Sequence, residues 1–276
     1  MPLKFINNAE QNLVDRFKVK DLASTSADLR HWLEGDFGRY LQIRELQVFQ
    51  HKFSNLPGYR FLRLGLSEDP ETLNCFNHIQ RISLHPSELN GAHGALANYI
   101  ELPLMTETID LMLLHHALEF SQSPKAVLAE ASRVVKPGGH LLLCLLNPFG
   151  PMGIAKFPMQ LCSGKVQFRF HNLRLGRLND WLSLLNFHVE GVEHGAYNLP
   201  LGHPNSLQGL SRDSRWEKAC EKIRFPMGNF YMIHAVKREP RGISGPRQSW
   251  RAATSKNYTA TQGAKRSWIK NDNLQP

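Results

Sequence analysis

Residues 101–146 read ELPLMTETIDLMLLHHALEFSQSPKAVLAEASRVVKPGGHLLLCLL. Within them Thr108 to Leu114 (TIDLMLL) is a near-continuous apolar run, the pattern of a strand covered on both faces. Ser123 is placed to cap a helix that opens on Pro124. Val127, Leu128, Ala131, Val134 and Val135 then form one apolar stripe at helical spacing. Lys136 falls in the last turn, and Pro137-Gly138-Gly139 stops the helix. His140 to Leu146 (HLLLCLL) is a second buried strand, closed by Asn147-Pro148. Strand, helix and strand in 40 residues make a parallel βαβ unit.

The flanks repeat the alternation. Upstream, Phe37, Leu41, Ile43, Leu46, Phe49 and Phe53 mark a helix over 36–53, ended by Asn55, Pro57 and Gly58. Tyr59 to Leu66 (YRFLRLGL) reads as a strand running into a turn at Gly65. A short helix over 69–76, a weak strand over 80–84 and a third short strand over 95–99 follow. Downstream, 149–172 is a Gly/Pro-rich connection carrying Phe149, Phe157, Phe168 and Phe170. Leu178, Trp181, Leu182 and Leu185 mark a helix, 187–192 a strand, 214–223 a helix and 229–237 the last strand. No internal repeat is present. The alternation predicts a doubly wound α/β sheet.

Composition narrows the class. With 276 residues, 42% of them hydrophobic and 21% charged, the chain has enough apolar surface for one sizeable domain. Its longest apolar run, Leu141 to Leu146, is too short to cross a bilayer. The first residues lack the basic-then-apolar layout of a secretion signal. Cysteines 75, 144, 162 and 220 form no CxxC pair, which argues against a zinc ribbon or a disulfide scaffold, predicts no metal, and fits reduced thiols in a cytoplasm. The net charge of +9 is uneven: residues 237–276 hold nine Lys/Arg against two acids, leaving 24 against 22 in residues 1–236. We therefore divide the chain into a polar segment over 1–30, a domain over 31–237 and a basic, disordered tail over 238–276.

The order and spacing of residues 101–146 resemble the second half of class I S-adenosylmethionine-dependent methyltransferases of the type 11 kind. The shared features are a Leu-Pro turn, the Ile109-Asp110 pair, a Ser-Pro-opened helix bearing Glu130 and Arg133, and the Lys-Pro-Gly-Gly turn. The chain looks most like the small YafS-type proteins, through Trp32, Gly38, Glu45, the Asn-Pro-aromatic turn and DWLSLLNF at 180–187. The resemblance implies a Rossmann-like seven-stranded sheet with the last strand antiparallel. It also implies S-adenosylmethionine as cofactor, lying at the carboxyl ends of the first strands.

The candidate cofactor residues are Gly65, Ser67, Asp69, Asn98 and His115. In the family the first strand ends in an acid and a glycine-rich turn; here the acid's position is Arg63, and Ser67 and Asp69 replace the later glycines. The acid normally receives the amino group of the methionine part, which an arginine repels. Glu68 or Asp69 is positioned to return a carboxylate from the turn. The second strand ends Ser83-Leu84-His85-Pro86 without its ribose-binding acid. Asn98 stands where an Asp usually meets the adenine amino group, and an amide oxygen still accepts that bond.

His115 and His116 follow the fourth strand, where a histidine can serve as base near neutral pH. They are the candidate catalytic residues. Bland alternatives stand beside each signal: Gly65 as an ordinary turn glycine, Asp110 as a strand-edge cap, Glu130 and Arg133 as a solvated pair. The leading expectation is methyl transfer to an unidentified acceptor. A catalytically silent binding module is the alternative, motivated by Arg63. Nucleic-acid contact through the tail is a third, with Trp250, Tyr258 and Trp268 between its basic residues.

Overall fold

The computed structural model describes residues 18–67, 69–88, 94–163, 165–198, 215–223 and 225–238. Its elements are α1 (Leu22–Glu34), α2 (Asp36–Val48, prolonged by a π-helical turn Phe49–Phe53), β1 (Arg60–Gly65), α3 (Pro70–Asn74), β2 (Gln80–His85), β3 (Ala95–Leu96), β4 (Ile109–His115), α4 (Pro124–Val134), β5 (Val135–Leu146), α5 (Pro151–Cys162), α6 (Leu175–Leu184), β6 (Phe187–Gly195), α7 (Arg215–Ile223) and β7 (Phe230–Lys237). The sheet order is β3-β2-β1-β4-β5-β7-β6. β1, β2, β3, β4 and β5 pair in parallel, and β7 runs antiparallel to both β5 and β6. This is the expected doubly wound seven-stranded sheet with its last strand antiparallel. The order reverses between β1 and β4, which puts their carboxyl ends at the switch point.

β4 is buried along its whole length, as its continuous apolar sequence requires. α4 buries the predicted stripe of Val127, Leu128, Ala131 and Val134. Three expectations are corrected. First, Val135 and Lys136 are not helical. Val135 already pairs with Ile109, and pairing resumes at His140 with Leu111. Residues 136–139 therefore bulge from β5, with Gly138 at φ +75° and Lys136 ion-paired to Asp110. Second, the connection over 149–172 contains α5. Pro151 occupies its first turn, where a missing N–H costs nothing. Gly153 is packed so tightly that an added Cβ would lie 2.4 Å from the Asn147 and Pro148 carbonyl oxygens. Third, α1 begins at Leu22, capped by the Asp21 carboxylate, and buries Leu22, Leu29 and Leu33, so a boundary at residue 31 cuts through a packed helix. The tail beyond Arg238 lies outside the described residues, as do Glu68, Trp250, Tyr258 and Trp268.

Candidate functional site

At the carboxyl edge, Gly65 pairs with His115 and His115 with Cys144, so the ends of β1, β4 and β5 lie side by side. Arg63, two residues before Gly65 and only 1% exposed, projects on the same face and folds forward over it. A Cβ added at Gly65 would meet the Arg63 guanidinium at 2.7 Å. One Arg63 amino group donates to the Ser67 carbonyl at 2.7 Å, and the other lies 3.0 Å from His115 Nδ1.

A proton ledger follows from the chemistry of the groups. Guanidinium only donates, so His115 Nδ1 accepts and its proton sits on Nε2, 2.9 Å from Glu45 Oε2. His115 is thus neutral, in agreement with burial lowering its pKa. His116 lies 2.9 Å from Glu45 Oε1 through Nε2 and 2.8 Å from Glu119 Oε1 through Nδ1. Burial opposes its charged form, but Glu45 and Glu119 outweigh that and raise it to about 10. His116 is therefore an imidazolium held between two carboxylates. Burial would raise Glu45, yet the His116 charge and the bonds from both histidines hold it well below the usual carboxylate range. Glu119 Oε1 also accepts the Leu146 amide at 3.0 Å. Two cations, Arg63 and His116, are matched by Glu45 and Glu119.

The network explains where the predicted residues went. His115 and His116 are both buried with their ring nitrogens engaged, and their rings stack 5.0 Å apart. They hold the strand ends in place, which corrects the expectation of a base presented to substrate. Ser67 gives its carbonyl to Arg63. Asp69 caps α3 by accepting the Thr72 amide at 3.0 Å. Burial would raise Asp69, but the nearby Arg63 charge and the bonds from Thr72 lower it. Donor atoms of Glu45, His115, His116 and Cys144 fall within 4.8 Å of one another, a ligand set that the sequence alone did not bring together. Here Glu45 and the histidines are joined by hydrogen bonds instead.

Asn98 stands apart, in the wall of a cavity of about 350 Å³ with Leu96, Tyr99, Ser121 and Gln122. Its side-chain oxygen accepts the Ile100 amide at 3.1 Å. The Tyr99 hydroxyl lies 2.7 Å from the Gly65 carbonyl and 2.9 Å from that of Leu84, clamping β1 to β2. Glu130 and Arg133 are more than a solvated pair. Glu130 accepts the Leu102 amide and Arg133 donates to the Leu102 and Leu104 carbonyls, fixing the Leu-Pro turn that leads from Asn98 to β4.

A larger cavity, of about 710 Å³, opens between α5, residues 170–172 and the residues that lead into α4, and Gln122 lines both cavities. Its wall includes Lys156 from α5 and His171, whose Nε2 has no hydrogen-bond partner among the described residues. Neither residue was singled out from sequence. Glu45 carried a readable signal: it stands between Leu41 and Phe49 at four-residue steps, a charge on a fully buried stripe.

Comparison with known proteins matches this geometry. Residues 76–143 match the methyltransferase domain family. The chain is 31% identical to YafS of Escherichia coli K12 over 139 residues, covering 50% of this chain and 56% of YafS. It is 33% identical to MJ1123 of Methanocaldococcus jannaschii over 61 residues, or 22% of this chain and 30% of that protein. The chain thus spans about half or less of the curated relatives it matches. Among solved structures, a SAM-dependent methyltransferase from Thermotoga maritima superposes with a TM-score of 0.55 at 19% identity, covering 79% of this chain and 98% of that one. One from Archaeoglobus fulgidus gives 0.53 at 14% identity, covering 76% and 99%. At such identity the structural likeness speaks for the fold. Central segment, sequence relative and strand order agree: residues 76–143 are similar to the methyltransferase domain family, half of the chain is similar to YafS, and the sheet has the Rossmann-like methyltransferase fold.

Proposed function

We propose that this protein is a methyltransferase that draws its methyl group from S-adenosylmethionine and takes its acceptor into the larger cavity. The observation that carries this reading is the pair of cavities meeting at Gln122 along the carboxyl edge of the sheet. The Asn98 cavity follows β3, where the resemblance places adenine, and its amide and apolar wall fit that end of the cofactor. The methionine end does not fit in the same way. An ammonium arriving beside Gly65 would face the Arg63 guanidinium, with the Ser67 carbonyl and the Asp69 carboxylate already engaged. No step at that end is therefore derived.

Calorimetric titration with S-adenosylhomocysteine tests the reading. Saturable binding, weakened tenfold or more by Asn98→Ala, is the expected result. A folded protein that takes up no ligand overturns it and leaves the second reading, a silent module of methyltransferase fold, which the guanidinium over Gly65 supports. Two further proposals concern the whole chain. No helix among the described residues is long and apolar enough to cross a membrane, and a cytoplasmic location remains our proposal from the cysteine pattern. RNA contact through residues 238–276 is the other; deleting that tail without loss of RNA affinity would eliminate it.

A further inference from the structure

We infer that the cavity of about 710 Å³ is a binding site for a small molecule bearing an anionic group, a carboxylate or a phosphate, with Lys156 as its anchor. The inference rests on the proposed methyl transfer only in calling that molecule the acceptor; as a binding site it stands alone.

Lys156 lies on α5 between Met152 and Gln160 at four-residue steps, and all three are buried. The residue is only 9% exposed. Lysines are rarely buried to this degree unless a counter-charge compensates the lost hydration. Here every partner among the described residues is neutral: the Phe170 carbonyl, Asn172 Oδ1 at 2.7 Å and the Phe170 ring at 4.3 Å. Two of three N–H groups are used, and no carboxylate among the described residues forms an ion pair with it. Burial alone pushes Lys156 down to about 8, so it is still mostly protonated at neutral pH.

The other cations buried to this degree are answered within the protein. Arg44 bonds to Glu217 at 2.9 Å, His116 sits between two carboxylates, and Arg63 has Asp69 nearby. Lys156 is the exception among the described residues: Arg44 also lines a cavity but is paired to Glu217, and Arg63 bonds to neutral groups but has the Asp69 charge nearby, whereas Lys156 lines a cavity with neither. Among the described residues that wall contains no Asp or Glu, while Lys18 adds a second positive charge. Gln122 and Ser123 bring the N-terminus of α4 to the same wall. The Ser123 side chain makes no cap hydrogen bond there, so the helix end adds partial positive charge. A cavity of this volume suits a small molecule rather than a polymer.

The test is thermal unfolding of the full chain in sodium phosphate and in sodium acetate, against sodium chloride at matched ionic strength. One of the two anions raises Tm in a concentration-dependent way in the wild type. Lys156→Gln loses the response, and Lys156→Arg keeps part of it. A larger response to phosphate assigns a phosphoryl ligand, and a larger response to acetate a carboxylate. Tm equal in all three salts, or an undiminished response in Lys156→Gln, overturns the inference. A second readout needs no variant: in 13C-lysine NMR, the Lys156 titration midpoint must move upward when phosphate or acetate is added. An anion response without S-adenosylhomocysteine binding keeps this site and removes methyl transfer; cofactor binding without an anion response does the reverse.

Discussion

The two ends of the carboxyl edge solve the same problem in opposite ways. At the β1–β4 end, His116 is buried and answered by Glu45 and Glu119, buried Arg63 has the Asp69 charge nearby, and its guanidinium fills the space that Gly65 leaves open. At the α4–α5 end, Lys156 is nearly as buried, yet it meets only neutral groups and opens on a cavity. A closed charge network stabilises the fold and is hard to enter; an unanswered charge destabilises the fold and leaves something for a ligand to do. Burial of charge thus marks structure at one end and recognition at the other.

The largest effect that would break this comparison is the removal of the carboxylate at the centre of the closed end. Glu45→Gln leaves the His115 N–H without its anion and the His116 imidazolium with Glu119 alone. We expect a loss of about 3–5 kcal/mol, from two hydrogen bonds to a charged group at about 1.5–3 kcal/mol each, read as a lower midpoint in urea. A loss below about 1 kcal/mol would show that the network is not closed and that the contrast between the ends is false.

The pH dependence comes next, and its sign differs between the ends. Glu45 is held below its unfolded value, so its contribution is present above about pH 4.5 and fades as pH falls through the depressed native value. His116 is raised to about 10, so its contribution is complete below about pH 6.5 and is lost as pH climbs toward 10. Lys156 is lowered to about 8, so its penalty is relieved as pH rises from about 8 toward its unfolded value near 10.5. Stability should therefore be greatest between about pH 4.5 and 6.5. The alkaline decline should steepen in Lys156→Met, which lacks the opposing relief. Urea midpoints across pH 4 to 10 in both proteins check this, and equal alkaline slopes would count against the unpaired lysine.

Much of the closed end was legible in the sequence, and little of the open end. The β4–α4–β5 unit announced itself through a continuous apolar run, a Ser-Pro opening and one apolar stripe. Arg63 at the acid's position was equally plain. That its guanidinium turns onto Gly65 was not, because the turn depends on the shape of the loop that holds Ser67 and on His115, which lies 52 residues away. His115 and His116 were seen but misassigned, since the Glu45 that engages them lies 70 residues away. Lys156 stayed hidden because Pro148, Pro151, Gly153 and Pro158 made α5 read as a loop. Without a helix, the four-residue spacing that buries Lys156 has no meaning. Local rules find elements whose signals are local; a charge gains its role only from what the tertiary fold sets against it.

A smaller effect sharpens the closed end. Gly65 does not lie in the left-handed region, so Gly65→Ala carries no backbone strain, but its methyl group would fall on the Arg63 guanidinium. The flexible side chain can shift, at the expense of its bonds to Ser67 and His115. Each is worth about 1 kcal/mol, so a loss of about 1–2 kcal/mol is expected in the same urea assay. A neutral result would mean that Arg63 moves freely, and that the cofactor seat is easier to open than its bonds suggest.

The smallest expected effect has the opposite sign, and it bears most directly on the contrast. Lys156→Met keeps the length and apolar stem of the side chain while removing a buried ammonium that no described residue neutralises. Replacing a costly buried charge with a volume-matched apolar group is neutral or mildly stabilising, here by up to about 1 kcal/mol. The neutral acceptors it abandons, the Phe170 carbonyl and the Asn172 amide, lie beside a cavity where water can reach them. Stability should therefore hold or rise while the response to phosphate or acetate disappears. That combination is the mark of a residue retained for what it binds. A loss of several kcal/mol would instead make Lys156 a structural brace like Glu45, and the two ends of the edge would then differ only in how much space lies beside them.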